Sequence, residues 1–189
     1  MIVKPKKRGR PVGSSSQLTA LSIIDKAKTL MQHEGKVPSI RKLASSLDIN
    51  AMAIYHYFDN KNALLEAITV SLISDIYQPV TVNEWKSELT KLSTSYLTLL
   101  NNYPGLLETL LSMDALGPSQ VFSARFDDVI KPLNLDQEAS INALSLLVDY
   151  LHGYALALNN NQTQIELNID MIKGPLDLYC IALENIKHE

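Results

Sequence analysis

The side chains best equipped for chemistry in this sequence are cations and hydrogen-bond donors, and they suit the grip of a polyanion better than the breaking of a bond. Arg41 carries a guanidinium able to make a paired contact to a guanine edge. Ser39, two residues before it, is placed to cap the helix that presents it. Tyr55, His56 and Tyr57 have polar tips that fit phosphate oxygens, and Lys61 adds an ammonium. Ala51 and Met52 offer apolar contact alone, of the kind a thymine methyl accepts. Nothing comparable points to catalysis: the chain has no Gly-x-Ser-x-Gly turn, no phosphate-binding glycine loop and no cysteine with a plausible local partner. His33, His56, His152 and His188 are scattered, and no pair has the i, i+3 or i, i+4 spacing of a helical metal site. The sequence therefore predicts no enzyme, no metal and no cofactor.

The charge is distributed to the same end. The net charge of the 189 residues is −3. Residues 1–70 hold eleven Lys/Arg against five Asp/Glu, a net of +6, and residues 71–189 hold six against fifteen, a net of −9. A basic first third is drawn to phosphates and an acidic remainder is repelled by them. The lone Cys180 predicts no intrachain disulfide, and no signal peptide is visible, so a cytoplasmic protein is expected. The longest apolar stretches, such as Leu144 to Val148, are too short to span a bilayer, which predicts no membrane partner.

These side chains need rigid elements to position them, and the patterning is helical throughout: an all-α chain is expected. Ile23, Ile24, Ala27, Leu30 and Met31 mark one helix face, and Gly35 stops it. Ser39 caps a second, shorter helix with Leu43, Ala44 and Leu47 inward. Asp48-Ile49 turns the chain, and Asn50 caps a third helix that buries Ile54 and Phe58. Asp59 or Asn60 caps a fourth, expected to run to about Tyr77 before Pro79. Five further helices are predicted: Asn83 to about Asn102, Leu106 to about Leu116, Ser119 to Lys131, Asp136 to about Leu158, and about Ile169 to Ile186. In the last, Gly174-Pro175 predicts a kink or a late start.

Three short helices with a tight turn between the second and third make a helix-turn-helix. In that motif the third helix enters the major groove. With Ile54 and Phe58 facing the core, Ala51, Met52, Tyr55 and His56 are left on its open face. Ile23 to Ile68 resembles the DNA-binding domain of the TetR family of transcriptional regulators. The resemblance is carried by Ile24 and Ala27, Gly35, Ser39 to Ala44, Leu47, Ile49-Asn50, and above all the run from Ile54 to Leu65. Asp48 stands where the family usually has Gly, and Asp tolerates the left-handed backbone better than most residues. The resemblance implies a homodimer joined through about 136–158 and 169–186. It also implies a double-stranded DNA operator and release by a small apolar or amphipathic effector held in the C-terminal bundle. Three parts are expected: a flexible basic arm over 1–18, the helix-turn-helix domain over 19–70, and an effector-binding and dimerisation domain over 71–189.

Within the bundle, Tyr96, Tyr103, Met113, Phe122, Phe126 and Tyr154 are readable as cavity lining or as ordinary core, and His152 as a core or pocket group; Tyr96, Tyr103, Met113, Phe126 and His152 are the candidate effector contacts. The arm adds a second candidate contact to DNA. Lys7, Arg8 and Arg10 lie in Pro5-Lys6-Lys7-Arg8-Gly9-Arg10-Pro11, which resembles an AT-hook core suited to a narrow A·T minor groove. An architectural protein that binds A·T-rich DNA through this arm is the alternative reading. A helical enzyme or carrier is a third, and it leaves the basic first third unexplained.

Overall fold

The computed structural model describes residues 18–80, 84–113, 117–159 and 167–186, and those residues are helical with no strand among them. The arm with Lys7, Arg8 and Arg10 lies outside the described residues.

α1 (Ala20–Glu34) begins with a reciprocal cap. The Ser22 N–H donates to Thr19 Oγ1 and the Thr19 N–H donates to Ser22 Oγ, each at 3.0 Å. It buries Ile23, Ile24, Ala27 and Met31 and ends at Gly35, whose φ of 67° lets its N–H reach the Met31 carbonyl. α2 (Ile40–Ser46) is capped by Ser39, and Leu43 and Ala44 are buried. Asp48 then takes a φ of 55°, the left-handed backbone that the turn needs. α3 (Ala51–Ile54) is a single turn, capped by Asn50 Oδ1 on the Met52 N–H at 2.8 Å. Helix-like bonds from Tyr57 and Phe58 to the Ile54 carbonyl extend it.

α4 (Lys61–Ser74) starts on the Asn60 cap and buries Leu64, Ile68, Leu72 and Ile73. The division expected at residue 70 falls inside this continuous helix. α4 stops at Ser74, short of Tyr77, because its last carbonyls find a partner from elsewhere in the chain. The Arg125 guanidinium donates to Ile76 O at 2.7 Å, Ser74 O at 2.9 Å and Ile73 O at 3.3 Å.

Beyond it come α5 (Trp85–Asn102), α6 (Leu106–Ser112), α7 (Gly117–Ile130), α8 (Gln137–Asn159) and α9 (Lys173–Glu184). Pro132 sits in a 3₁₀ turn over Lys131–Leu133. Gly174-Pro175 marks a late start: a 3₁₀ turn over Ile169–Ile172 precedes α9. α7 packs on α4 and α5, and α8 packs on α5. One apolar core of Leu, Ile and Phe side chains, Phe126 among them, runs through the chain.

By length and composition α8 could cross a membrane, its mean hydropathy reaching 1.3 over 18 residues. Its apolar side chains serve two sides instead. Leu147, Leu151 and Ala155 are buried, while Leu146 is 61% exposed.

The helix-turn-helix unit and the bundle also touch backbone to backbone. Gly105, at φ 83°, lies so near the end of α1 that a methyl there would come within 3.0 Å of the Gly35 carbonyl oxygen and 3.2 Å of Lys36 Cα.

Candidate DNA-binding face and ligand cavity

Two sites emerge at opposite ends of α4. The first is the outer face of α2, α3 and the start of α4. Burial of Ile54 and Phe58 fixes the roll of α3 and turns Met52, 66% exposed, and Tyr55, 39% exposed, to solvent. His56 is exposed beside them, and Ala51 is half-buried at the junction with α2. Arg41 is exposed on α2 and makes no ion pair among the described residues, whereas its neighbour Lys42 is held by Glu34 at 3.1 Å. Ser39 Oγ accepts from the Lys42 N–H at 3.2 Å, which leaves its own O–H proton to donate outward. Lys61 opens α4, exposed, next to backbone N–H groups of the first turn.

Tyr57 departs from its expected role. Its O–H donates to the Leu18 carbonyl at 2.7 Å, so the proton that a phosphate contact would need is already engaged. The side chain instead pins the strand of chain entering α1 against the third helix.

The second site is a cavity of about 430 Å³ among α4, α5, α6, α7 and α8. Of the residues expected there, Tyr96, Met113, Phe122 and His152 line it, and Tyr103, Phe126 and Tyr154 do not. Phe126 is fully buried in the core one turn beyond Phe122, which takes the wall position in its place. Tyr103 lies past the end of α5, where it forms the C-cap and is not part of the wall.

α8 supplies Leu144, Ser145, Val148, Asp149 and His152, three or four residues apart on one helix face. That spacing, counted back from His152, was the signal that could have located them. Tyr96 and Phe122 form a tilted aromatic pair with centroids 4.8 Å apart. Tyr96 Oη and His152 Nε2 are hydrogen-bonded at 2.9 Å. Burial drives the Tyr96 phenol above its ordinary range. Burial also holds His152 below the usual histidine value, with Asp149 pulling weakly the other way, so the imidazole is neutral at physiological pH.

Met113 belongs to both the cavity and α4, because Thr69 Oγ1 lies 3.8 Å from its sulfur. Cys180 is buried, and its thiol is pushed up to about 11 by that burial, which leaves it an inert packing group.

Residues 23–68 match the family model described as bacterial regulatory proteins, tetR family. A curated relative, the HTH-type transcriptional repressor DrrR1 of Streptomyces coeruleorubidus, is 24% identical over 147 residues, covering 76% of this chain and 54% of that protein. The chain thus spans about half the length of that relative. Apo ActR from Streptomyces coelicolor superposes with a TM-score of 0.76 at 16% identity, over 89% of this chain and 96% of that one. BioQ, solved with its natural double-stranded DNA operator, superposes with a TM-score of 0.71 at 17% identity, over 89% of this chain and 99% of that one. At such identities the solved structures speak for the fold, and the family model speaks for the helix-turn-helix. Residues 23–68, the helix-turn-helix with its exposed α3, therefore match the TetR family's DNA-binding model, and the solved structures share the fold of the chain.

Proposed function

We propose that this chain is a sequence-specific transcriptional repressor that binds its operator as a homodimer and is released by a small apolar or amphipathic effector. The observation that carries this reading is α4, one unbroken helix with Lys61 at one end and Ile73 in the cavity wall at the other. The two lie about 18 Å apart along the axis at 1.5 Å per residue. A molecule that fills the cavity and prefers one tilt of α4 changes the position of the third helix by the same free energy.

The division of labour expected from the sequence follows: residues 19–70 read DNA, and residues 71–189 bind the effector and the second subunit. Its relatives support the reading. DrrR1 is named a transcriptional repressor, BioQ was solved on an operator, and ActR was solved with actinorhodin. One short recognition helix makes few base contacts, and two-fold symmetry doubles them over half-sites about one helical turn apart or a multiple of that.

The test is binding to DNA from the protein's own upstream region against a shuffled fragment of equal A·T content, at physiological salt. Tight binding to the first and loose binding to the second are expected. The Arg41→Ala/Tyr55→Ala double variant is expected to lose about tenfold to a hundredfold in affinity. Equal binding to both fragments would instead favour an architectural role for the basic arm. Equal operator binding with and without a saturating cavity ligand would refute release.

A further inference from the structure

The cavity has a definite electrostatic character. Its interior is apolar, walled by Ile73, Leu110, Phe122, Leu144 and Val148 among others. Its polar groups are Ser145, Asp149 and His152 on α8, Tyr96 on α5, and Ser119 and Ser123 on α7. Asp149 is the one formal charge among the described lining residues, which include no lysine or arginine. Arg125 on α7 is not among the lining residues, and its guanidinium is engaged by the carbonyls at the end of α4. Asp149 itself is exposed at the rim and makes no ion pair with any described residue. The Tyr96–Phe122 pair adds aromatic faces, which attract positive charge and stack on flat rings.

A carboxylate or phosphate ligand would meet the Asp149 charge with no cation to balance it, and its own charge would be desolvated against leucines and phenylalanine. A flat apolar body bearing a cation at one edge meets neither difficulty: the rings enter the apolar interior and the charge stays at the rim beside Asp149.

We propose that the cavity selects flat aromatic cations, with Asp149 as the residue that discriminates by charge and the Tyr96–Phe122 pair as the ring platform. This rests on the effector reading above and gives its ligand a chemical class. Neutral His152 contributes a hydrogen-bonding edge without opposing charge, its Nε2 tied to Tyr96. Since the carboxylate is exposed, its contribution is that of a partly screened pair, about fivefold in affinity.

The test uses three acridines of one ring framework at pH near 7.5, titrated into the full chain without DNA: 9-aminoacridine (cation), acridine (neutral) and acridine-9-carboxylate (anion). The expected order of affinity is cation, then neutral, then anion, with about fivefold between the first two. Asp149→Asn, a change at an exposed position, should bring the cation to the level of the neutral compound and leave acridine itself unchanged. Ser145→Trp, also at an exposed position, fills the mouth and should abolish binding of all three. An anion that binds as tightly as the cation overturns the proposal, as does a cation preference that survives Asp149→Asn. Absence of binding by any acridine, or binding untouched by Ser145→Trp, overturns it too. Operator binding of the same preparation, measured without acridine, separates the two claims. A protein that binds its operator but prefers the anion keeps the regulator reading and loses this one. A protein that selects the cation but binds no operator does the reverse.

Discussion

His152 and Tyr96 bind each other across the junction of α8 and α5, and the pair makes a titration with a definite sign. The folded chain holds the imidazole below its ordinary value of 6.5. As pH falls through that value, the unfolded chain takes up a proton that the folded chain still refuses. The stability owed to His152 is therefore complete above about pH 6.5 and declines as pH drops toward the folded value. Chemical denaturation of wild type and His152→Gln between about pH 5 and 7.5 should show the wild-type advantage shrinking on acidification; parallel curves would place the acid sensitivity elsewhere. His152 was expected as either a hydrogen-bonded core group or a ligand contact; it is hydrogen-bonded to Tyr96 and also lines the cavity. Other residues show where sequence reading fails. Helical spacing tells that Phe122 and Phe126 share a face, but it does not tell which turn meets a void and which meets packed leucines. Tyr57 was legible as exposed and polar. Its partner Leu18 is 39 residues away, and no local pattern announces such a bond.

Helix starts were the most legible elements, because caps are local chemistry. Ser39, Asn50 and Asn60, expected as caps, each place an oxygen on a backbone N–H two or three residues ahead, and Thr19 does the same for α1, where no cap was expected. Gly35 and Asp48 were readable for the same reason: a left-handed residue is a property of one position. The end of α4 was not readable. Pro79 suggested a later stop, yet the helix closes where Arg125 gathers three carbonyls from 49 to 52 residues away in sequence. Arg125→Met keeps most of the stem and removes these bonds. It should cost about 2 kcal/mol of stability, a charge-assisted cap lost with its carbonyls left poorly solvated, and the urea midpoint should fall with an unchanged m-value. A midpoint equal to that of wild type would mean that water replaces the guanidinium without penalty.

Across the whole molecule, charge and apolar surface lie in different places. The basic N-terminal third and the acidic remainder orient the chain toward a polyanion. The exposed apolar groups of the far end, Leu146 on α8 with Leu178 and Ile181 on α9, form a face that no element among the described residues covers. The proposed homodimer buries that face, so Leu178→Glu should convert the dimer to a monomer in light scattering while the helical circular dichroism is retained. Operator affinity should fall with it, since one subunit then reads one half-site. A dimer that persists would move the interface away from α9. The meeting of Gly35 and Gly105 bears on how such a molecule moves. The three-helix unit is held to the bundle at two places, by the unbroken α4 and by the two glycines backbone to backbone, so a change of tilt in α4 is also felt at Gly105. Bulk added at Gly105 would push against the Gly35 carbonyl and Lys36 and so part the second of these holds.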